Sequence, residues 1–352
     1  MNRTLTFTAG LISVWIIGYL LIMGRSLLIP IVIAIFFWHL LNTVKDGIKS
    51  IPYLKEHLPD WVSMVLALLV VAGLIKILID IISNNVSDVI AAAPRYQENL
   101  TNIFNMIDKR FHIRSFVSAD NFVKNLSVQN ILVNIYGVFS TITSSAVLIA
   151  LYVCFLFVEQ HYFRQKLVAL FPDKKPRQLV NNISNHIIKD TQTYLGLKTL
   201  MSLFTATTSW IIMKSVGLDF AEFWGLLIFF LNFIPNIGAM IATAFPALIA
   251  LVQFDSWFPF IMVTSGIVAI QFIVGNFVEP RFLGKSLNLS GLVILFALAL
   301  WGAVWGVLGM FLSVPITVMM MIVFAHFEST RPIAIMLSQD GQIKKLYDVI
   351  KK

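Results

Sequence analysis

From Ser286 to Phe327 the chain carries no Asp, Glu, Lys or Arg, and the same is true from Phe223 to Phe254. As unbroken α-helices these stretches would reach about 63 Å and about 48 Å. The hydrocarbon core of a bilayer is roughly 30 Å thick and takes about 20 apolar residues per crossing. Both stretches exceed one crossing, and both are interrupted near the middle. The first breaks at Asn232-Phe-Ile-Pro-Asn-Ile-Gly238, the second around Trp301-Gly-Ala-Val-Trp-Gly306 and Gly309. Each has a proline in its second arm, Pro246 and Pro315. Kinked long helices, pairs of ordinary spans and re-entrant helical hairpins all fit these lengths, and the charge pattern favours hairpins of some depth. A weak internal likeness, Gly225-Leu-Leu-Ile-Phe-Phe against Gly291-Leu-Val-Ile-Leu-Phe, suggests inverted repeats.

The rest of the chain reads as membrane as well. Hydrophobic residues make up 58%, charged residues 12%, and the mean hydropathy is +0.83. Soluble domains are about a quarter charged, because their surface faces water. The expected fold is an all-α polytopic membrane bundle of about eight hydrophobic segments. Thr4–Gly24 and Ser26–Val44 are separated by Arg25 alone, which predicts a tight hairpin, and the first run reads as an uncleaved span. Trp61–Ile79, Asn125–Val158 and Ser256–Val278 supply further spans. Another lies between Lys198 and Lys214, both expected to snorkel to the interface. Leu100, Ile103, Phe104, Ile107 and Phe111 recur at helical spacing among charges and predict an amphipathic helical insert.

These readings divide the chain into five parts. Residues 1–82 form an N-terminal transmembrane hairpin plus a third span. Residues 83–125 are the amphipathic region, and 126–190 a fourth span with a basic linker. Residues 191–327 hold a transport region with two hairpins, and 328–352 a polar tail.

A net charge of +8 and a pI near 9.5 raise the question of nucleic acid. Such binding would need a basic face with stacking aromatics on a folded domain. Here Arg164, Lys166, Lys174, Lys175, Arg177 and Lys189 sit between apolar runs, and four lysines close the C-terminus. That is the pattern of cytoplasmic loops, so the Glu159–Asp190 linker and both termini are expected inside the cell. The expected partners are the bilayer and a small-molecule or ion substrate, with no nucleic acid. Cys154 is the single cysteine, and the six histidines never fall at i, i+3 or i, i+4. No nucleophile, zinc or phosphate-binding motif occurs, so neither an enzyme, a cofactor nor a metal site is expected.

Irregular backbone at membrane depth is tolerated only inside protein or beside a wet cavity. Asn232, Pro235, Asn236 and Gly238 are therefore the leading substrate-binding candidates, the alternative being that the asparagines cap two half-helices. Gln271, Asn276, Glu279 and Arg281 form a second candidate group, because ionisable and amide groups at bilayer depth are costly without a role. Glu279 and Arg281 also read as an interfacial ion pair. Gly302, Gly306, Gly309 and Pro315 read as hinge or packing positions, since small residues let helices approach closely. Asp219 and Glu222 read as acids near the start of a helix.

Four pieces carry a family resemblance. Gly225-Leu-Leu-Ile-Phe-Phe-Leu-Asn-Phe-Ile-Pro-Asn-Ile-Gly238 resembles a signature of the autoinducer-2 exporter (AI-2E) family. So do Glu279-Pro-Arg-Phe-Leu-Gly-Lys-Ser-Leu-Asn-Leu289 and Trp305-Gly-Val-Leu-Gly-Met-Phe-Leu-Ser-Val-Pro315, with Tyr194-Leu-Gly196 ahead of the fifth span. Where the family often has His-Pro after Leu289, this chain has Ser290-Gly291. The resemblance implies a transporter of the bacterial inner membrane that assembles as a homo-oligomer, a pentamer. It leaves the cargo open between autoinducer-2, a signal in quorum sensing, and exchange of sodium or lithium for protons. A membrane scaffold without transport is the reading from another class.

Overall fold

The computed structural model describes residues 3–51, 58–111, 137, 144–254, 256–283 and 288–342. Among them the chain is helical throughout, with no strand and one isolated β-bridge between Leu289 and Ser338. Twelve α-helices and one π-helical segment follow in order. They are α1 (Arg3–Met23), α2 (Arg25–Ser50), α3 (Asp60–Phe111), α4 (Ala146–Leu170), α5 (Lys174–Val216) and α6 (Ala221–Leu231). Then come α7 (Ile237–Gln253), α8 (Trp257–Ile273), the π segment (Val274–Val278), α9 (Glu279–Leu283), α10 (Gly291–Trp305), α11 (Val307–His326) and α12 (Arg331–Leu337). Five of the described segments are long and apolar enough to cross a membrane: Arg25–Ser50, Asp60–Ile81, Ala146–Phe163, Trp257–Phe282 and Val307–His326. Large side chains such as Leu27, Leu69, Phe155 and Phe258 stand exposed along these helices, which suits a lipid solvent and no aqueous one.

The chain divides into two compact units, one from 1–67, 144–196 and 285–352, the other from 68–143 and 197–284. In the first unit, Ala297, Trp301 and Trp305 of α10 form a core with Leu21, Leu28, Ile29, Val32 and Ile316. The Trp305 indole donates to Leu21 O at 3.0 Å, and Trp38 of α2 donates to Gln160 Oε1 of α4 at 3.0 Å. These are the partners a buried or half-buried indole needs. In the second unit, α6, α7 and α8 pack around Phe223, Trp224, Ile228, Ala242, Ile249, Val263 and Ile267.

Three sequence expectations are corrected. Arg25 does not mark a tight hairpin. The joint is Gly24 at φ −81°, ψ 5°, with Gly24 N bonded to Leu20 O and Leu28 N to Gly24 O. One residue so close to helical dihedrals bends a helix and does not reverse it. The basic stretch Glu159–Asp190 is no loop either: α4 runs to Leu170 and α5 begins at Lys174, leaving Phe171–Asp173 as the joint. Nor is the amphipathic region set apart from the third span as far as Phe111, because α3 continues unbroken from Asp60 to Phe111. The part of the amphipathic insert beyond 111, the first part of the Asn125–Val158 span, Lys285 and the C-terminal lysines lie outside the described residues.

Both broken segments are helical hairpins. In the first, α6 and α7 meet through Asn232–Asn236; in the second, α10 and α11 meet at Gly306. The internal likeness holds in geometry but in a different register. A Cβ on Gly238 would stand 1.8 Å from Leu231 O, and one on Gly309 would stand 1.9 Å from Trp301 O. Each turn is thus closed by a glycine of the second arm pressed on a carbonyl at the end of the first. Matching Gly238 with Gly309 displaces the Gly225/Gly291 alignment by five residues, about one and a half helical turns.

Candidate functional site: a broken hairpin and a buried ion pair

The first candidate group sits at the α6–α7 turn. Pro235 supplies no N–H and restrains Ile234, so α6 stops and the chain folds through short backbone bonds. Ile234 N reaches Leu231 O at 2.9 Å, Ile237 N reaches Pro235 O at 2.6 Å, and Gly238 N reaches Ile234 O at 3.1 Å. Phe233 and Ile234 are buried, while Asn236 is exposed in a positive-φ conformation, φ 58°. Asn236 stands at the N-cap of α7 without a side-chain capping bond. Asn232 closes α6 as its C-cap residue and is half-buried.

The second group lies where α8 gives way to the π segment and α9. Pro280 has no N–H to offer the carbonyl of Asn276, and its ring would collide with that carbonyl in a regular helix. Widening Val274–Val278 to a π turn relieves this clash, and such turns collect at functional sites. Glu279 follows at once. Its Oε1 accepts from Lys198 Nζ of α5 at 2.6 Å, with the lysine side chain 10% exposed and the carboxylate 29%. One turn before the π segment, Gln271 Nε2 is buried with no hydrogen-bond partner. Asn276 bonds back to Phe272 O at 3.0 Å and, like Arg281, is exposed.

Two readings of these residues therefore change. Glu279 pairs with Lys198 and not with Arg281, since residues two apart on a helix do not face each other. Lys198 does not snorkel, because a carboxylate lies within reach of it. Lys214 pairs with Glu222 at 2.6 Å, and both of these side chains are exposed. Lys198 also heads a buried polar stripe on α5 formed by Ser202, Thr205 and Ser209, where Thr205 Oγ1 donates to Met201 O. The signal for it was present: Lys198 is the one charge between Thr191 and Met213, and hydroxyls follow it at spacings of four, seven and eleven.

The hinge candidates belong to the other unit. Gly302 lies against Met310, Gly306 has φ +66°, Gly309 meets the Trp301 carbonyl, and Pro315 is buried within α11. Among the described residues no three His, Cys, Asp or Glu side chains gather as metal ligands would.

Residues 7–329 match the model of the AI-2E family transporter group. The chain is 27% identical to the AI-2 transport protein TqsA of Escherichia coli over 96% of its own length and 98% of that protein. A protein of Borreliella burgdorferi named "Putative transport protein" is 31% identical over 74% of this chain and 71% of its own. One of the same name from Haemophilus influenzae is 26% identical over 98% of both.

Proposed function

Because the chain belongs to the AI-2E family of transporters, we propose that it exports a small hydroxyl-rich molecule such as autoinducer-2 across the bacterial inner membrane by alternating access. Multi-pass membrane transport is the common ground of its relatives, and an apolar helical bundle with two broken hairpins suits it. The observation that carries the choice of cargo is the engagement of Glu279. A cation exchanger needs a carboxylate that alternates between proton and metal. Glu279, the acid in the second candidate group, is already neutralised by Lys198 at 2.6 Å. Gln271 Nε2 has no partner and the Asn236 carboxamide makes no capping bond, and such amides both donate and accept as a neutral polyol requires. Exchange of sodium or lithium for protons is the competing reading.

The same proposal sets both termini and the basic α4–α5 joint on the cytoplasmic side, with the chain assembled as a homo-oligomer, a pentamer. It assigns the protein no enzymatic reaction, with a role in quorum sensing following from the cargo. Asn232→Ala, Asn236→Ala and Gln271→Ala test it. Each is expected to lose autoinducer-2 export while the protein still inserts and assembles. Unchanged export by all three would overturn the assignment.

A further inference from the structure

Past its membrane span, α3 is fastened to both ends of the first hairpin. Tyr96, 1% exposed, donates its hydroxyl to Asp219 Oδ2 at 3.0 Å, two residues before α6 begins. Asn99, three residues on and on the same face of α3, donates Nδ2 to Val252 O at 3.1 Å, near the end of α7. The two ends are also bonded to each other. Gln253 Nε2 donates to Gly217 O at 2.9 Å, and Asp219 N donates to Gln253 Oε1 at 2.8 Å. Four polar contacts thus form a closed ring around the hairpin base. Tyr96, Ala92, Phe220, Phe223, Trp224 and Val252 share one apolar core beside it.

Resting on the transport reading, we infer that residues 92–99 of α3 and the first hairpin move as a single body, with Tyr96 and Asn99 as positioning residues for the hairpin. Alternating access requires some elements to shift against others. If the hairpin slid along α3, Tyr96, Asp219, Asn99 and the Val252 carbonyl would all lose their partners. Unpaired polar groups in a buried setting are strongly disfavoured. The boundary of motion therefore lies elsewhere, and the α3 extension belongs to the transport machinery and is no separate scaffold.

The single cysteine makes a direct test possible. In a Cys154→Ser background, Asn99→Cys and Val252→Cys are joined by a short bifunctional thiosulfonate in vesicles. Flux of the bridged protein should stay within about twofold of the unbridged one, because the bridge spans no moving boundary. A fall below about a tenth would overturn the inference. Tyr96→Phe should lower the maximal rate at an unchanged half-saturating concentration. A change in half-saturation alone would contradict positioning.

Hydrogen exchange needs no flux at all. The double variant Tyr96→Phe, Asn99→Ala should speed exchange at 217–222 and 250–254 together, and unaltered exchange at both would also overturn the inference. Vesicles in which the unbridged protein carries nothing would contradict the transport reading itself. The exchange result would still decide this one.

Discussion

Lys198 Nζ stands 2.6 Å from Glu279 Oε1, joining the middle of α5 to the residue that follows a π turn. Removing one member of a buried pair leaves an uncompensated charge, a loss of about 3–5 kcal/mol when burial is complete. With Glu279 29% exposed the penalty here is smaller. Lys198→Met and Glu279→Gln are each expected to lower the melting midpoint and reduce transport. The double variant Lys198→Met, Glu279→Met should recover most of the midpoint. Losses that simply add in the double variant would show that the two groups do not act as a pair.

The hairpin turns predict a sharp contrast among glycines. Alanine at Gly238 or Gly309 would place a methyl group within 2 Å of a backbone carbonyl, at 1.8 Å and 1.9 Å, and neither carbonyl can retreat without opening its helix. Both variants are expected to fail assembly, read as loss of a monodisperse peak in detergent. Alanine at Gly275 or Gly291 meets nothing within 4 Å and should assemble normally. Gly306→Ala is intermediate, because φ +66° with ψ −143° is a conformation nearly reserved for glycine and costs an L-residue roughly 1–3 kcal/mol.

Much of this arrangement was legible in the sequence, and the failures have physical reasons. The two long uncharged stretches and their breaks appear as α6–α7 and α10–α11 because length and apolar content suffice to detect them. The π turn was invisible, since no residue of Val274–Val278 distinguishes a π turn from an α turn and only Pro280 hints at the strain. Lys198 was misread because a lysine near the end of an apolar run usually snorkels. Its carboxylate lies eighty-one residues away, beyond any local pattern. Asn99 and Tyr96 were passed over for the same reason. Their partners lie 153 and 123 residues further along the chain, where no local periodicity reaches.

The α3 contact predicts a pH response outside the membrane spans. Burial first, and then the Asp219 carboxylate beside it, hold the Tyr96 hydroxyl well above its ordinary value of 10.0. The fold therefore favours the neutral donor, and its stabilising effect is fully present below pH 10. That effect fades as pH rises through the raised native value, where the unfolded chain is ionised first. The difference in melting midpoint between wild type and Tyr96→Phe should be flat from about pH 6 to 9 and shrink above about 10. A difference that changes through neutral pH would contradict the geometry.

Cargo is the central claim, and it is decided by purified protein in vesicles supplied side by side with autoinducer-2, with sodium or lithium, and with a pH gradient. Protein-dependent passage of autoinducer-2, with no proton movement driven by sodium or lithium, is the predicted result. Cation-driven proton movement without passage of autoinducer-2 would contradict it.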